Sequence, residues 1–326
     1  MAPEAAFYCV ADARYFAGAV GLVNSLRLVG HDEPIYLLDC GLPAAQRELL
    51  APHVTLVDAP GDTPPFLLKT VAPRKHPAEV MVLIDADMLA ARSLAPLLAQ
   101  AAAGRVVAFE NDSDRFVPEW GEMLDLGPAR RRPYVSSGLV LLGGDAGQEV
   151  LDLLHDRQGR VDFERSYWGA GMEVDYPFLY LEQDVLNAIL ATRVERDRVV
   201  TVEHRLAPTP PYRELRLRDE ATLRTAYRDG TEPYVLHQFV RKPWLEPTLD
   251  TVYSRLLRRL LTGPDVAVRV AERDIPTHVR GGVRGGAARA RGNARHFVRW
   301  ELPDLLPDAV GSRVKEMWRR HDARRA

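Results

Sequence analysis

Short apolar runs alternate with segments of helical periodicity through roughly the first 145 residues. Uninterrupted apolar runs bounded by turn-forming residues are typical of buried strands, and apolar residues at every third or fourth position are typical of helices. The pattern predicts strands at 6–11, 34–39, 53–58, 80–85, 105–110 and 134–143, and helices at about 16–29, after Pro43 and at 146–157. This alternation predicts an open α/β sheet that binds its ligands beyond the carboxyl ends of its strands.

The pattern is less regular in the second half of the chain. It predicts a helix at 182–193, short strands at 198–203 and 233–239, and an amphipathic helix over 253–261. An aromatic and glycine-rich loop at 167–171 precedes the first of these elements. The loop fits no regular period, and neither does the stretch from 205 to 232. We expect both segments to contribute to ligand selectivity.

The composition changes from Arg269 onward, where 14 Arg and Lys face seven Asp and Glu. The glycine pairs Gly281-Gly282 and Gly285-Gly286 in this segment disfavour regular structure. The sequence therefore predicts one α/β domain at 1–262 and a basic C-terminal extension at 263–326, either helical or partly disordered.

The whole chain has a net charge of −2 and is 46% hydrophobic, which is typical of a soluble globular protein and excludes a general nucleic-acid binder. Its two cysteines, Cys9 and Cys40, lie in apolar runs, so a disulfide framework is not expected. The N-terminal residues do not resemble a signal peptide, and no apolar stretch reaches the length of a membrane span. We expect a cytoplasmic protein.

The sharpest chemical signal is the pair Asp85 and Asp87 after the apolar run at 80–84. Residues i and i+2 of an extended chain face the same way, so both carboxylates should lie together at the end of a buried strand. Two carboxylates with open coordination positions suit Mg²⁺ or Mn²⁺ bound to a diphosphate. The simpler alternative is a solvated strand end that carries two acids.

Three other segments combine polar residues with buried elements. Ser136 and Ser137 interrupt an apolar strand, as expected where a ligand approaches a backbone, and polar residues open the predicted helix at Glu182. The third segment brings His237 and Lys242 close to a tryptophan, a set that could hold a metal and a phosphate. Each has an ordinary structural alternative: an acidic helix start, for example, complements the helix dipole.

In this order the segments resemble the retaining glycosyltransferases of family eight, which include glycogenin and bacterial lipooligosaccharide galactosyltransferases. The resemblance covers about residues 6–250. It implies the GT-A fold, an open mixed α/β sheet with a Rossmann-like N-terminal half and helices on both faces, and sugar transfer from a UDP-sugar with Mn²⁺. It also implies Asp85, Asp87 and His237 as metal ligands and Lys242 as a diphosphate contact. A nitrogen ligand beside two carboxylates favours Mn²⁺, with Mg²⁺ as the alternative.

The resemblance also implies a nucleotide site and a set of catalytic residues. Tyr15 is expected to stack on the uracil. The remaining nucleotide-sugar contacts are Val10, Ala11, Asp12, Lys69, Ala86, Ser136 and Ser137. The residues expected to face the donor sugar and to take part in catalysis are Glu182, Gln183 and Asp184.

The chain departs from the family pattern at three places. Ser136 stands where the family usually has Asn, and Glu182 stands where it usually has Asp. The segment from His237 to Lys242 is one residue shorter than usual and contains no glycine. These differences leave the donor sugar open and predict a different loop around Lys242.

These observations predict a metal-dependent, retaining hexosyltransferase that acts on an unidentified glycan, lipid-linked or small-molecule acceptor. The alternatives are a non-catalytic nucleotide-sugar-binding protein and a phosphohydrolase that uses Asp85 as its nucleophile. A nucleotidylyltransferase lacks support because no glycine-rich phosphate loop follows the first strand.

The extension contains a basic segment with aromatic residues among its arginines. Segments of this kind lie on anionic membranes, so peripheral contact with the inner face of a membrane is one interpretation of this segment. A solvated terminus that offsets an acidic body is the other. The residues that form the segment are Arg291, Arg295, Phe297, Arg299, Trp300 and Trp318.

Overall fold

The structure is a computed structural model that describes residues 3–61, 63–247 and 250–297. Within these ranges the chain forms strands β1 (Ala5–Ala11), β2 (Ile35–Asp39), β3 (Thr55–Asp58), β4 (Val80–Ile84), β5 (Met88–Ala90), β6 (Val106–Glu110), β7 (Val135–Gly143), β8 (Val199–Val202), β9 (Arg216–Asp219), β10 (Arg224–Ala226) and β11 (Val235–His237). The α-helices are α1 (Phe16–Leu28), α2 (Ala44–Leu50), α3 (Val71–Lys75), α4 (Ala95–Ala102), α5 (Trp120–Met123), α6 (Gly144–Gln158), α7 (Glu182–Thr192), α8 (Val252–Thr262) and α9 (Gly282–His296).

A seven-stranded sheet with the order β3-β2-β1-β4-β7-β6-β8 forms the centre of the molecule. Its strands β1 to β4 are mutually parallel, as in a Rossmann-like half, and β7 runs antiparallel to both of its neighbours. Parallel strands place their carboxyl ends at one edge of the sheet, so β1 and β4 end side by side. The predicted mixed α/β sheet with a Rossmann-like N-terminal half is confirmed.

The sheet is buried on both faces, because side chains alternate between two apolar cores. In β1, Phe7 and Cys9 belong to one core, whereas Ala6 and Tyr8 belong to the other. The first core is completed by α1, α4 and α8, and the second by α6 and α7. This two-sided burial explains why β1 and β4 are apolar at nearly every position.

A second, much smaller sheet joins β5 to β11 in antiparallel register, with His237 opposite Met88. Two strands of only three residues each form a stable pair here because all six residues are buried. The pairing carries a residue from late in the chain to the carboxyl end of β4. The predicted strand at 233–239 contains β11, but the three residues of β5 are too few to show a period of their own.

The chain beyond residue 262 continues to pack against α1. Asn24 donates hydrogen bonds to the carbonyl oxygens of Leu260 and Val268, at 2.8 and 2.9 Å, and accepts one from the Val268 N–H. Val268, Ile275 and Val279 are buried in the same core as α1. The first part of the predicted extension therefore shares the core of the α/β domain.

The expectation that the glycine pairs disfavour regular structure is wrong for 282–296, which forms α9. Ala and Arg, which are strong helix formers, fill much of this helix and outweigh the glycines. Two glycines permit close packing: a Cβ on Gly285 would lie 2.0 Å from the Arg280 carbonyl oxygen, and one on Gly292 would lie 2.1 Å from Pro247.

Among the described residues, no helix combines the length and the apolar character needed to cross a bilayer. Of the predicted membrane-contact residues, Arg291 and Phe297 are exposed. The side chain of Arg295, and all of Arg299, Trp300 and Trp318, lie outside the described residues.

Candidate active site

Asp85 and Asp87 lie in the tight turn between β4 and β5, where the Met88 N–H donates a hydrogen bond to the Asp85 carbonyl oxygen at 3.0 Å. The prediction that an extended chain places both carboxylates on one face is wrong in its geometry, because the chain turns after Ile84. The two carboxylates nevertheless converge. The turn is held to β7 by the Asp85 N–H, which donates to the Gly138 carbonyl oxygen at 2.8 Å.

His237 completes a cluster with the two aspartates. Its Nε2 lies 3.4 Å from Asp87 Oδ1 and 3.9 Å from Asp85 Oδ2. One potential ligand atom from each of the three residues lies within 4.8 Å of the others. We refer to Asp85, Asp87 and His237 as the Asp-Asp-His cluster.

Each aspartate of the cluster forms an ion pair with a lysine. Lys69 Nζ lies 2.6 Å from Asp85 Oδ1 and 3.1 Å from Glu182 Oε1, and Lys242 Nζ donates to Asp87 Oδ2. Burial alone would lower the pKa of Lys69, but Asp85 and Glu182 together raise it above its usual range. Burial would likewise raise the pKa of Asp87, but His237 and Lys242 hold it well below its usual range. Lys69 and Asp87 therefore stay charged near neutral pH.

One oxygen of the cluster lies 3.4 Å from His237 Nε2 but forms no hydrogen bond of normal geometry within the described residues. Asp87 Oδ1 is buried and has no hydrogen-bond partner among the described residues. A buried carboxylate oxygen without a partner is costly unless a ligand or ion satisfies it. Two carboxylates and an imidazole around this oxygen form a donor set that fits a divalent cation.

The loop from His237 to Lys242 closes on itself, which accounts for its short spacing. The Gln238 N–H donates to the Asp87 carbonyl oxygen at 3.0 Å, and the Lys242 ammonium donates back to the Gln238 carbonyl oxygen. Tyr212 OH donates to Gln238 Oε1 at 2.9 Å and is also within 3.0 Å of the His237 carbonyl oxygen. No glycine is needed, because side chains and ordinary backbone hydrogen bonds form the turn.

The small residues of β7 make room for this cluster. A Cβ at Gly138 would lie 2.6 Å from Met88 Cε and 2.8 Å from the His237 ring. The predicted close approach to the β7 backbone is therefore made by the side chains of the site itself. Ser136 Oγ accepts a hydrogen bond from the Gly138 N–H at 3.2 Å.

The start of α7 faces the same strand. Ser137 Oγ donates to Glu182 Oε1 at 3.1 Å, and the Ser137 N–H donates to Gln183 Oε1 at 3.1 Å. Leu181, just before the helix, has a φ of 47°, a strained conformation for a branched residue. This turn directs the first two side chains of α7 toward β7.

Asp184 is also buried, but it points to a different set of partners. Its Oδ1 accepts hydrogen bonds from Tyr134 OH at 2.7 Å and Arg115 Nε at 3.1 Å, and its Oδ2 accepts one from the Tyr180 N–H at 2.8 Å. Burial raises the pKa of Asp184, and Arg115 opposes that effect. These contacts engage both oxygens of Asp184, and its grouping with Glu182 and Gln183 as catalytic residues stays a prediction.

The predicted nucleotide contacts lie at the end of β1, beside the cluster. Asp12 Oδ1 accepts hydrogen bonds from the N–H groups of Arg14 and Tyr15, both at 2.9 Å, and forms a turn into α1. The half-buried Tyr15 ring meets the edge of Trp244 at 6.1 Å and lies 5.5 Å from Lys242 Nζ. Val10 is half-buried and Ala11 is buried.

The turn of the aspartates is covered by α1. A Cβ at Gly18 would lie 2.5 Å from the Ala86 carbonyl oxygen and 2.8 Å from the Trp244 ring. Ala86 itself is buried, and Trp244 Nε1 donates to the Arg14 carbonyl oxygen at 2.7 Å. Trp244 therefore joins α1 to the Lys242 loop and forms a wall beside Tyr15.

Sequence reasoning missed Arg115, Tyr134 and Tyr212, which hold the site residues in place. Tyr134 begins the segment that contains the two serines. Its own position, as a residue with a hydroxyl directly before a buried strand, is the signal that could have indicated its role. Arg115 and Tyr212 lie in irregular segments far from their partners in sequence, and no local pattern indicates them.

No family model matches the chain, and no curated protein sequence matches it significantly. Solved structures do. The galactosyltransferase LgtC matches with 15% identity, once as an active-site mutant (TM-score 0.51, 82% of this chain and 98% of that chain) and once with donor and acceptor sugar analogs (TM-score 0.49, 80% and 98%). The bifunctional glycosyltransferase WbbM matches with 14% identity and a TM-score of 0.52, over 81% of this chain and 50% of WbbM.

At such low identity these likenesses concern the fold. The seven-stranded mixed sheet has helices on both faces and places a DxD-type acidic turn at the end of β4. The chain therefore has the GT-A glycosyltransferase fold.

Proposed function

We propose that the protein is a metal-dependent glycosyltransferase that transfers a hexosyl group from a UDP-sugar with retention of anomeric configuration. The observation that supports this most directly is the Asp-Asp-His cluster, which combines Asp85, Asp87 and His237 at the carboxyl end of β4 in a GT-A fold. Open α/β sheets bind ligands at this edge of their strands.

The donor set of the cluster fits Mn²⁺, with Mg²⁺ as the alternative. Two carboxylates suit either ion, and the imidazole of His237 favours Mn²⁺. When bound, such an ion supplies Lewis-acid neutralisation of a diphosphate leaving group. Asp87 Oδ1 has no hydrogen-bond partner among the described residues, and coordination to such an ion would satisfy it.

The two lysines have different roles in this proposal. An ammonium group has three N–H donors. Lys69 meets Asp85, Glu182 and, at 3.5 Å, the Ser137 carbonyl oxygen, so its donors are committed. Lys242 meets Asp87 and the Gln238 carbonyl oxygen among the described residues, which leaves one donor for a phosphate oxygen. Lys242 is thus the diphosphate contact, and Lys69 orients the carboxylates of Asp85 and Glu182.

Gln183 is the residue that we place beside the reacting carbon of the donor. Its amide is fixed at both ends, because Oε1 accepts from the Ser137 N–H and Nε2 donates to Tyr134 OH at 3.0 Å. Glu182 is engaged by Ser137 and Lys69, so it is poorly suited to act as a free nucleophile. Retention would follow if the leaving phosphate removes the proton of the acceptor hydroxyl on the same face of the sugar.

The nucleotide would bind at the end of β1 beside the cluster. The contacts that we propose are Val10, Ala11, Asp12, Tyr15, Ala86, Ser136 and Ser137. Tyr15 lies within 5.5 Å of the Lys242 ammonium, so a base against this ring would place its diphosphate toward the lysine.

An aromatic platform formed by segments that adjoin Lys69 and Glu182 in the chain is the proposed acceptor surface. It consists of Phe66, Phe163, Tyr167, Trp168 and Tyr180, whose ring centroids lie 5.3 to 6.3 Å apart in contacting pairs. Tyr167 and Trp168 are 55% and 53% exposed. Exposed aromatic rings next to a polar site are typical of ligand-binding surfaces. The platform adjoins the site because Tyr180 lies two residues before Glu182 and Phe66 three before Lys69.

The proposal is tested by a donor screen with UDP-, GDP- and TDP-sugars, each with Mn²⁺, Mg²⁺ or a chelator. We expect sugar transfer, or slow sugar release, from a UDP-sugar with Mn²⁺ and none with the chelator, and an unchanged anomeric configuration by NMR. Donor binding without turnover would favour a non-catalytic binding protein. Phosphate release from monoesters would favour a phosphohydrolase.

A further inference from the structure

A cavity lies away from the Asp-Asp-His cluster, between the start of β7, the last turns of α7 and the edge strand β8. Its volume is about 360 Å³, and its wall includes the arginines Arg115, Arg131, Arg132 and Arg196. We call it the arginine pocket. None of the residues proposed above to bind the metal or the nucleotide lines it.

Two of the four guanidinium groups have carboxylate partners and two do not. Arg115 pairs with Asp184, and Arg131 pairs with Asp114. Within the part of the chain that the structure describes, Arg132 and Arg196 form no salt bridge. Two guanidinium groups of the pocket therefore form no salt bridge within the described residues, and Glu195 offsets only part of the charge on Arg132.

Arg132 is the member of the pair that lies closest to the interior. Its Nη2 donates to the Val194 carbonyl oxygen, whereas its Nη1 is buried and lacks a hydrogen-bond partner among the described residues. Burial lowers the pKa of Arg132, Glu195 opposes this effect, and the nearby Arg130 and Arg196 add to it. Arg132 is half-buried, and a cation with one buried, unpartnered N–H edge beside two like charges is stabilised by an anion.

The rest of the wall indicates what else the ligand carries. Phe116, Leu190 and Val199 form an apolar side, and Thr201 adds a hydroxyl-bearing residue. A bare inorganic anion would leave this apolar surface without a partner. The pocket volume lies within the range of small-molecule sites, which begins at about 300 Å³.

We propose that the arginine pocket binds a phosphate monoester carried by a small organic molecule such as a sugar phosphate. A monoester carries about −1.5 to −2 charges at pH 7, which matches the two guanidinium groups that form no salt bridge within the described residues, whereas a carboxylate carries only one. The planar fork of donors on arginine matches phosphate oxygens. This site is separate from the proposed donor site and does not depend on sugar transfer.

The test is a calorimetric titration of chelator-treated protein with two probes, inorganic phosphate and glucose 6-phosphate. Four proteins are compared: wild type, Arg132→Gln/Arg196→Gln, Lys242→Gln, and the control Arg228→Gln/Arg284→Gln. The control removes the same charge from exposed arginines on other surfaces. Thermal melts show whether each variant is folded.

We expect the wild type to bind glucose 6-phosphate more tightly than inorganic phosphate, and the Arg132→Gln/Arg196→Gln variant to bind it at least about tenfold more weakly. The control and Lys242→Gln should match the wild type. Unchanged affinity in a folded Arg132→Gln/Arg196→Gln variant, or loss of binding in Lys242→Gln, would overturn the assignment. Equal affinity for both probes would overturn the organic part of the proposal, and no binding to wild type at about 10 mM would overturn the site.

Discussion

Asp87, in the turn between β4 and β5, and Asp184, in the first turn of α7, are both buried acids, yet their surroundings differ. Both oxygens of Asp184 are satisfied, by Arg115, Tyr134 and the Tyr180 N–H. Asp87 has a lysine on one oxygen and no hydrogen-bond partner, among the described residues, on the other. Burial acts to raise the pKa of both carboxyls, but it prevails only at Asp184, since His237 and Lys242 outweigh it at Asp87.

The difference distinguishes an acid that holds the structure together from one that is available for chemistry. A buried carboxylate with both oxygens engaged in hydrogen bonds has little left to offer a ligand. One that stays ionised and keeps an unengaged oxygen beside an imidazole is ready to coordinate a cation. We therefore expect the Asp87 side to act on the donor, and the Asp184 side to support the acceptor surface through Tyr180.

The largest effect is expected when the cluster itself is broken. Asp85→Asn should lower turnover by more than about 100-fold, because it removes a proposed metal ligand. Its melting temperature should change little, since Lys69 keeps Glu182 as a partner. Asp87→Asn should lose turnover equally but also melt earlier, because it leaves Lys242 without a carboxylate.

The measurements are steady-state rates and thermal melts with and without Mn²⁺. Mn²⁺ should stabilise the wild type but neither variant, since a ligand that binds only the native state raises its stability. Asp184→Asn is the matched control, because it also changes one buried acid to its amide. Mn²⁺-dependent turnover near the wild-type rate in the Asp85→Asn variant would contradict the proposed metal site.

The second effect concerns stability. Asp184→Asn should destabilise the protein by about 2–4 kcal/mol, because Arg115 loses its charge partner and an amide N–H group must face donors. The lower part of the range applies if solvent reaches the partly exposed Arg115. Chemical denaturation gives the free energy of unfolding. Mn²⁺ should still stabilise the variant, and loss of that response with an unchanged unfolding energy would assign Asp184 to the catalytic machinery instead.

The main strands could be predicted from the sequence because each is a continuous apolar run buried on both faces. Strands β1, β4 and β7 begin and end within one residue of their predicted positions. The pairing of β5 with β11 could not be predicted, since three buried residues carry no period. The glycines of α9 misled because their role in close packing depends on Arg280 and Pro247, which lie elsewhere in the chain.

The candidate site divides in the same way. Asp85 and His237 could be named from local segments, and the structure brings them together. The pairing of Lys242 with Asp87 and of Arg115 with Asp184 could not be predicted, because these residues reach their partners from 155 and 69 residues away in sequence. The hydrophobic pattern of the sequence indicates that an acidic side chain is buried, but it does not indicate which neighbours form hydrogen bonds with that side chain.

A smaller effect tests whether the open side of Asp87 faces a nucleotide. Tyr15→Ala should weaken UDP binding by about 1–3 kcal/mol, the range found for stacking between an aromatic side chain and a base. Tyr15→Phe keeps the ring and should bind UDP like the wild type. Calorimetry alongside thermal melts checks this. A fall in melting temperature with unchanged affinity would mean that Tyr15 only packs against Trp244.

The smallest effect concerns the side of the molecule that Asp184 supports. Asp184 holds the Tyr180 backbone, and the Tyr180 ring contacts Trp168 at 6.3 Å, so the aromatic platform depends on this acid for its position. Trp168→Ala should raise the acceptor KM by about five- to tenfold, equivalent to about 1 kcal/mol of aromatic contact, with donor affinity unchanged. Met172→Ala, an exposed residue of the same loop, is the control. Because Trp168 is half-exposed, its removal should barely change the melting temperature. An unchanged KM for the acceptor that the donor screen identifies would place acceptor binding elsewhere, and a rise in donor KM instead would show that the two sides of α7 are not separate in function.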